Sequence, residues 1–283
     1  EMVDKYNRLN EIWDELIDKK SEYIEMSYGS EAAKAGQEAL DLAQKSLESY
    51  KRLGKERLNS GGSTGSNSIG VRIRKSMSQY EWDQWDEFAR SIGWDPNDIG
   101  YRMNEIFSLT ADQLERLKEM APDFWAKLTA DESVAEYLDK VIEGAERIEE
   151  IERDTKEQLT QVSFDSMRDA FYDTLLDMES DSQDFADDFS AYLQKAILMT
   201  NLTDTYDKRL QEWYDKFAEN NKEGGISEEE YKQRKEEWDK IVEDALAERD
   251  ALKDFFGWTS SSSSTQEGRA GTITSITEET AGR

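Results

Sequence analysis

Along the first part of the chain the apolar residues fall three and four apart, at Val3, Tyr6, Leu9, Trp13, Leu16, Ile17 and Ile24. That spacing predicts one stripe of an α-helix, which Gly29 is expected to end. A second stripe, Ala32, Ala35, Ala39, Leu40, Ala43, Leu47, Tyr50 and Leu53, follows after a break short enough to fold the two helices into an antiparallel hairpin over 1–58, its alanines permitting close approach. From Asn59 to Ser68 the residues are almost all Gly, Ser, Thr and Asn, with nothing to bury, so 59–68 reads as a flexible linker and a domain boundary. It lacks the Gly-Lys-Ser/Thr ending of a phosphate loop.

Beyond the linker, Val71 and Ile73 alternate with Arg72 and Arg74, the pattern of a short extended piece. Ser78 with Glu81 forms a capping box that opens a helix carrying Trp82, Trp85, Phe88 and Ile92, closed at Gly93. Thr110 with Gln113 opens another, Pro122 starts a turn bearing Phe124 and Trp125, and Thr129 with Glu132 is expected to cap a long helix. These pieces predict a compact aromatic-rich subdomain over 69–130. Trp82, Trp85, Trp94, Phe107 and Trp125 read as packing rather than as a ligand-stacking platform.

The long-helix region, 131–258, opens with the near-heptad stripe Val134, Leu138, Val141, Ala145 and Ile148. Polar Glu152 and Thr155 intrude before Leu159 and Val162, predicting a helix docked along part of its length. Ser163 opens the next stripe, Phe164, Met167, Phe171, Leu175 and Met178, and the run Glu179-Ser180-Asp181-Ser182 reads as a turn. Two separate helices are then expected, one with Phe185, Phe189, Leu193, Ala196 and Ile197, the other with Leu202, Tyr206, Leu210, Trp213 and Phe217. After Gly224-Gly225 the last helix carries Tyr231, Trp238, Ile241, Val242, Ala245, Leu252 and Phe255, and Gly257 closes it. Residues 259–283, rich in Ser and Gly, read as a mobile segment that docks on a partner, with trypsin expected to cut first at Arg269. The fold class expected is all-α: elongated helical hairpins and long amphipathic helices around a small aromatic-rich helical subdomain.

Charge sharpens this picture. Thirty-six Lys and Arg stand against 64 Asp and Glu, a formal net charge of −28 over 283 residues, which disfavours bare nucleic-acid backbones and anionic membrane surfaces. The absence of His and Cys removes disulfides, thiolate nucleophiles, Ser-His-Asp triads and the usual zinc sites. The longest apolar run, Ala196 to Met199, is far too short to span a membrane, and the first residues do not read as a signal peptide. Helical periodicity already running at Val3, and an abrupt end at Arg283, suggest a piece of a longer chain.

With 64 carboxylates, pairs such as Asp187 with Asp188 or Glu149 with Glu150 arise by chance and read as solvated faces. One stretch is sharper: Glu219, Asn221, Glu223, Ser227 and Glu230, with Gly224 between them, echo the ligand spacing of a calcium loop. Glutamates in place of the shorter Asp or Asn misplace the oxygens, so an ordinary turn with Ser227 and Glu230 as a capping box is the preferred reading. No cofactor is expected. Asn201-Leu202-Thr203 matches a glycosylation sequon by letter only. The near-heptad residues Val134, Leu138, Val141, Ile148, Leu159, Tyr231, Trp238, Ile241, Ala245 and Leu252 are the candidate seams for weak self-association.

From about Ser78 to Arg283 the chain resembles the C-terminal part of tail tape-measure proteins of Bacteroidetes phages and prophages. The residues that carry the likeness are Phe107 to Leu114 (FSLTADQL), Ala121 to Leu128 (APDFWAKL), Glu157 to Ser166 (EQLTQVSFDS), Asp184 to Phe189 (DFADDF) and Ala247 to Leu252 (AERDAL), in that order, with the serine-rich exit into Gly268-Arg269-Ala270-Gly271. The resemblance implies a virion protein, made in the host cytoplasm, that helps set tail length, fills the tail lumen and docks at the tail tip. The implied partners are the tail tube, the tail-tip hub and three copies of itself. Long coiled-coil repeats and membrane segments, also known in such proteins, do not occur in these residues. The rival class is a carboxylate-dependent wall hydrolase, which needs two converging acids with one held protonated; a non-phage acidic helical adaptor is a further alternative.

Overall fold

In the computed structural model, which describes residues 2–60, 68–96, 103–176 and 185–258, every described regular element is helical, and the class is all-α. In chain order these are α1 (Met2–Glu25), α2 (Gly29–Asn59), α3 (Ile69–Ser76), α4 (Gln79–Ser91), a 3₁₀ turn (Met103–Ser108), α5 (Ala111–Met120), α6 (Pro122–Leu128), α7 (Glu132–Thr160), α8 (Phe164–Leu176), α9 (Phe185–Asn221) and α10 (Glu228–Phe256). They contribute to two compact units, one drawn from Glu1–Phe171 and Lys208–Trp238, the other from Tyr172–Asp207 and Asp239–Arg283.

In the first unit α1 and α2 pack antiparallel, as the ion pair Lys20 to Glu38 and the stacking of Arg52 over the Tyr6 ring at 5.0 Å show. Gly29 begins α2 with φ +54 rather than closing α1, which ends at Glu25. Helix α7 lies along α2, from the Arg57–Asp131 ion pair of 2.8 Å at one end to Gly36 against Thr155 at the other. Thr155, expected to lift α7 away, is buried: its hydroxyl donates to Ile151 O at 2.7 Å, and the missing Cβ of Gly36 makes room for it.

Among the described residues, two apolar clusters hold this layer. Ile17, Ile24, Ala35, Ala39, Ala43 and Ile151 form the smaller. The larger joins Leu53 and Leu58 of α2 to Ile69, Trp85, Phe88, Phe107 and Phe124, and to Val134, Leu138 and Val141 of α7. The core therefore runs across the boundary expected at 59–68 and across that at 130. Residues 61–67 themselves lie outside the described residues. Trp85 is the hub of the aromatic knot, with ring centroids 4.7 Å from Phe124, 5.6 Å from Phe88 and 6.2 Å from Trp94.

Caps explain where the short helices begin. The Glu81 carboxylate accepts from the Ser78 backbone N–H at 2.7 Å, and Thr110 and Gln113 exchange bonds of 3.0 and 3.2 Å. Val71 to Arg74, read as a short extended piece, lie inside helix α3: the Ser68 hydroxyl accepts from Val71 N–H, and Ile69 and Ile73, one turn apart, both reach the core. Helix α7 is capped by Asp131, not Thr129; its carboxylate accepts from Val134 N–H at 3.2 Å while the Thr129 hydroxyl donates to Trp125 O. Gln161, at φ +58, ends it.

The same unit also contains the start of α8 and the facing parts of α9 and α10. Trp213 lies 4.9 Å from Trp238 and 5.3 Å from Phe217, and Phe171 lies 5.7 Å from Trp238. Trp213 Nε1 donates to Arg234 O at 2.8 Å. The Tyr214 hydroxyl donates to Val162 O at 2.7 Å and accepts from Thr160.

In the second unit Leu175, Leu176, Leu198, Leu202, Ile241 and Ala245 are buried. Two buried tyrosines there end on carboxylates, Tyr172 on Asp207 at 2.7 Å and Tyr206 on Glu248 at 2.9 Å. Residues 185–221, expected as two helices, are one. Thr200, Asn201 and Thr203 fold their side chains back onto the carbonyls four residues earlier, so the polar stretch continues the helix. The Glu179–Ser182 turn and the segment 259–283 lie outside the described residues.

Candidate functional site

Between the two apolar clusters of the first unit, α1, α2 and α7 interpose a polar layer. The Asp14 carboxylate accepts from the Ser46 hydroxyl and the Tyr50 hydroxyl, both at 3.1 Å. Arg147, reaching across from α7, donates to Asp14 O at 3.3 Å and pairs with Asp18. Two turns earlier on α7, Lys140 bonds Glu143 at 2.7 Å. Asp14, Ser46, Tyr50, Lys140, Glu143 and Arg147 line a cleft of about 50 Å³, room for a few waters.

Acid–base chemistry needs a group displaced toward the working pH. Burial, reinforced by the Asp14 charge, pushes the Tyr50 phenol above its ordinary value, and the Glu143 hydrogen bond raises Lys140. Both shifts run away from neutrality and hold Tyr50 as a neutral donor and Lys140 as a cation. Among the described residues the carboxylates with a displaced pKa move the same protective way. Glu38 is lowered by Lys20, Glu81 by Ser78, Asp131 by Arg57 and Glu230 by Ser227. Each is an ion pair or a helix cap, so the arrangement anchors helices.

Two further groups in the layer are left without partners. Asn10 is fully buried with neither amide atom hydrogen-bonded, and the buried Ser49 hydroxyl is likewise unpaired. The register that pairs Asp14 with Ser46 and Tyr6 with Arg52 puts these two level with each other across α1 and α2. Sequence reasoning passed over the layer, although a signal exists: Asn10 takes the place of an apolar residue in the seven-residue series Val3, Asn10, Ile17, Ile24.

The residues that echo a calcium loop do not gather around one point. Glu230 accepts from Ser227 N–H at 2.9 Å and from Asn220 at 2.7 Å, completing the capping box of α10. Glu219 pairs with Lys222 at 2.6 Å, Asn221 bonds back to Phe217 O, and Glu223 is exposed. Among the described residues no three His, Cys, Asp or Glu side chains stand together as a metal site.

The candidate seams are largely used within the chain. Val134, Leu138 and Val141 are at most 1% exposed in the larger core, Ile148 packs on the smaller, and Leu159 is buried. This corrects the expectation of a seam offered to another copy: α2 already covers that stripe. On α10, Trp238 is half-buried against Trp213, Ile241 and Ala245 are buried, Leu252 is half-buried, and only Tyr231 stands 56% exposed.

Compared with protein-family models, with curated proteins and with solved structures, the chain matches none. No described helix is long and apolar enough to cross a membrane.

Proposed function

We propose that this chain is a structural protein of a phage tail: the C-terminal segment of a tape-measure protein that helps set tail length, fills the tail lumen and docks at the tail tip. The observation that carries this reading is the ordered series of segments at 107–114, 121–128, 157–166, 184–189 and 247–252, which resembles that family over roughly two hundred residues. The polar layer fits a structural part, since Asp14 bonds Ser46 and Tyr50 of α2 and Arg147 of α7 and so ties three helices together. Its partners in this proposal are the tail tube, the tail-tip hub and further copies of itself, three by resemblance. Since α2 covers the Val134 to Val141 stripe, contacts between copies must use other surfaces.

The test is an epitope inserted at the exposed Gly224-Gly225 turn, followed by immunogold electron microscopy of intact tails. Gold at the tail tip is the expected result. Tails without label, made by cells that express the tagged chain, would refute the assignment.

A further inference from the structure

Five large apolar side chains stay exposed on α1 and the turn that follows it: Ile12 at 52%, Leu16 at 40%, Tyr23 at 49%, Met26 at 71% and Tyr28 at 66%. Four of them belong to a strict series. Leu9, Ile12, Leu16, Lys19, Tyr23 and Met26 are spaced three, four, three, four and three, the a and d rhythm of a coiled-coil seam. This seam is separate from the inward one, on which Asn10, Ile17 and Ile24 are buried against α2. At 100° per residue, Leu9 to Met26 occupy the side of α1 turned away from the other described helices of the unit, with Leu9 half-buried at its edge. Helix α1 thus has two apolar faces, one used and one open.

Charge decides what fits the open face. Lys19 lies in the middle of the seam and Arg8 at its end, both exposed and without an ion-pair partner among the described residues. Glu11, Glu15 and Glu22 form a row along one flank. A second copy docked in parallel would set Lys19 against Lys19 inside the contact. Docked antiparallel about a two-fold axis, it would lay the two glutamate rows side by side. Either arrangement brings like charges together where they are least screened.

We infer that the outer face of α1 is a docking surface for an amphipathic helix of another protein, one whose apolar seam carries an acidic residue opposite Lys19. The seam runs for about 26 Å at 1.5 Å per residue, so it buries too little for a permanent complex and supports a reversible one.

The probes are two synthetic helical peptides of about four heptads with leucine at every a and d position but one, that one being Glu or Lys. Each peptide carries a fluorophore at its N-terminus, the full chain is titrated into it, and binding is followed by fluorescence anisotropy. The Glu peptide is expected to bind in the micromolar range and the Lys peptide about tenfold more weakly or worse. Lys19→Glu should reverse that preference, and Ile12→Asp should abolish both interactions; both positions are exposed, so the fold is preserved. Three results would overturn the inference: no binding of either peptide, a preference unchanged by Lys19→Glu, or a wild-type dimer in sedimentation velocity that Ile12→Asp returns to monomer.

Discussion

Replacing Gly54 with alanine tests the central packing of the first unit, because two opposite effects meet there. In an ordinary helix interior Gly→Ala adds about 1 kcal/mol of stability. At Gly54 the new Cβ would stand 2.1 Å from Phe107 Cε1 and 2.2 Å from Cζ, where carbon atoms need about 3.5–4.0 Å. Phe107 is fully buried in the larger cluster, so its ring must move by about 1.5 Å into neighbours that are themselves close-packed. Overpacking of that kind costs about 1–3 kcal/mol, and a shift this large belongs at the upper end. The expected net effect is a loss of about 2 kcal/mol, or about 4–8 °C in Tm, read by far-ultraviolet circular dichroism and by the urea midpoint. Phe107→Ala, which removes the obstacle, should itself cost about 3–5 kcal/mol. In that background Gly54→Ala should become stabilising, because the pair is coupled. Gly54→Ala that stabilises the wild-type chain, or effects that simply add, would mean the ring is not seated over α2.

Asn10→Leu should raise Tm, since it replaces a buried amide whose polar atoms lack partners with an apolar group of similar size; a lower Tm would show that the amide is satisfied. The Arg57 bonds hold Asp131 below the usual carboxylate range, so their contribution is complete above about pH 4 and is lost as pH falls through the folded value. Asp131→Asn, which keeps an acceptor for the Val134 N–H, should flatten that acid limb of the urea midpoint against pH; an unchanged limb below about pH 4 would refute the pairing. Calorimetric titration with calcium should give no heat beyond dilution, and a micromolar site would mean that Glu230 leaves its cap.

The sequence displays helices and caps well because both are local. The capping boxes at Ser78, Thr110 and Ser227, and Pro122 as an opener, depend on residues within one turn of each other. What lies across a stripe is not local. Val134, Leu138 and Val141 have the spacing of a seam whether α2 or another chain covers them, and only the fold tells these apart. Leu9 and Leu16 entered one stripe with Tyr6 and Ile17 because a three-four count tolerates neighbours; Leu16 and Ile17, 100° apart, in fact face opposite environments, one 40% exposed and one 1%. The alternation at Val71 to Arg74 was too short to outweigh the Ser68 cap. The polar layer was hidden because Asp14, Ser46 and Arg147 each look like ordinary surface residues until three helices bring them together.

The close approach of α2 to its neighbours also sets a limit on how this sequence can drift. A Cβ at Gly36 would lie 2.2 Å from Thr155 Oγ1, and one at Gly144 would lie 3.3 Å from Leu47. Together with Gly54 against Phe107, these positions tie small residues on one helix to particular partners far away in the chain. Surface acids are interchangeable and soon lose any trace of common descent, whereas these three spacings tolerate little change unless both members alter together. A distant relative of this protein is therefore best sought by paired positions, 36 with 155, 54 with 107 and 144 with 47, even where overall identity has vanished.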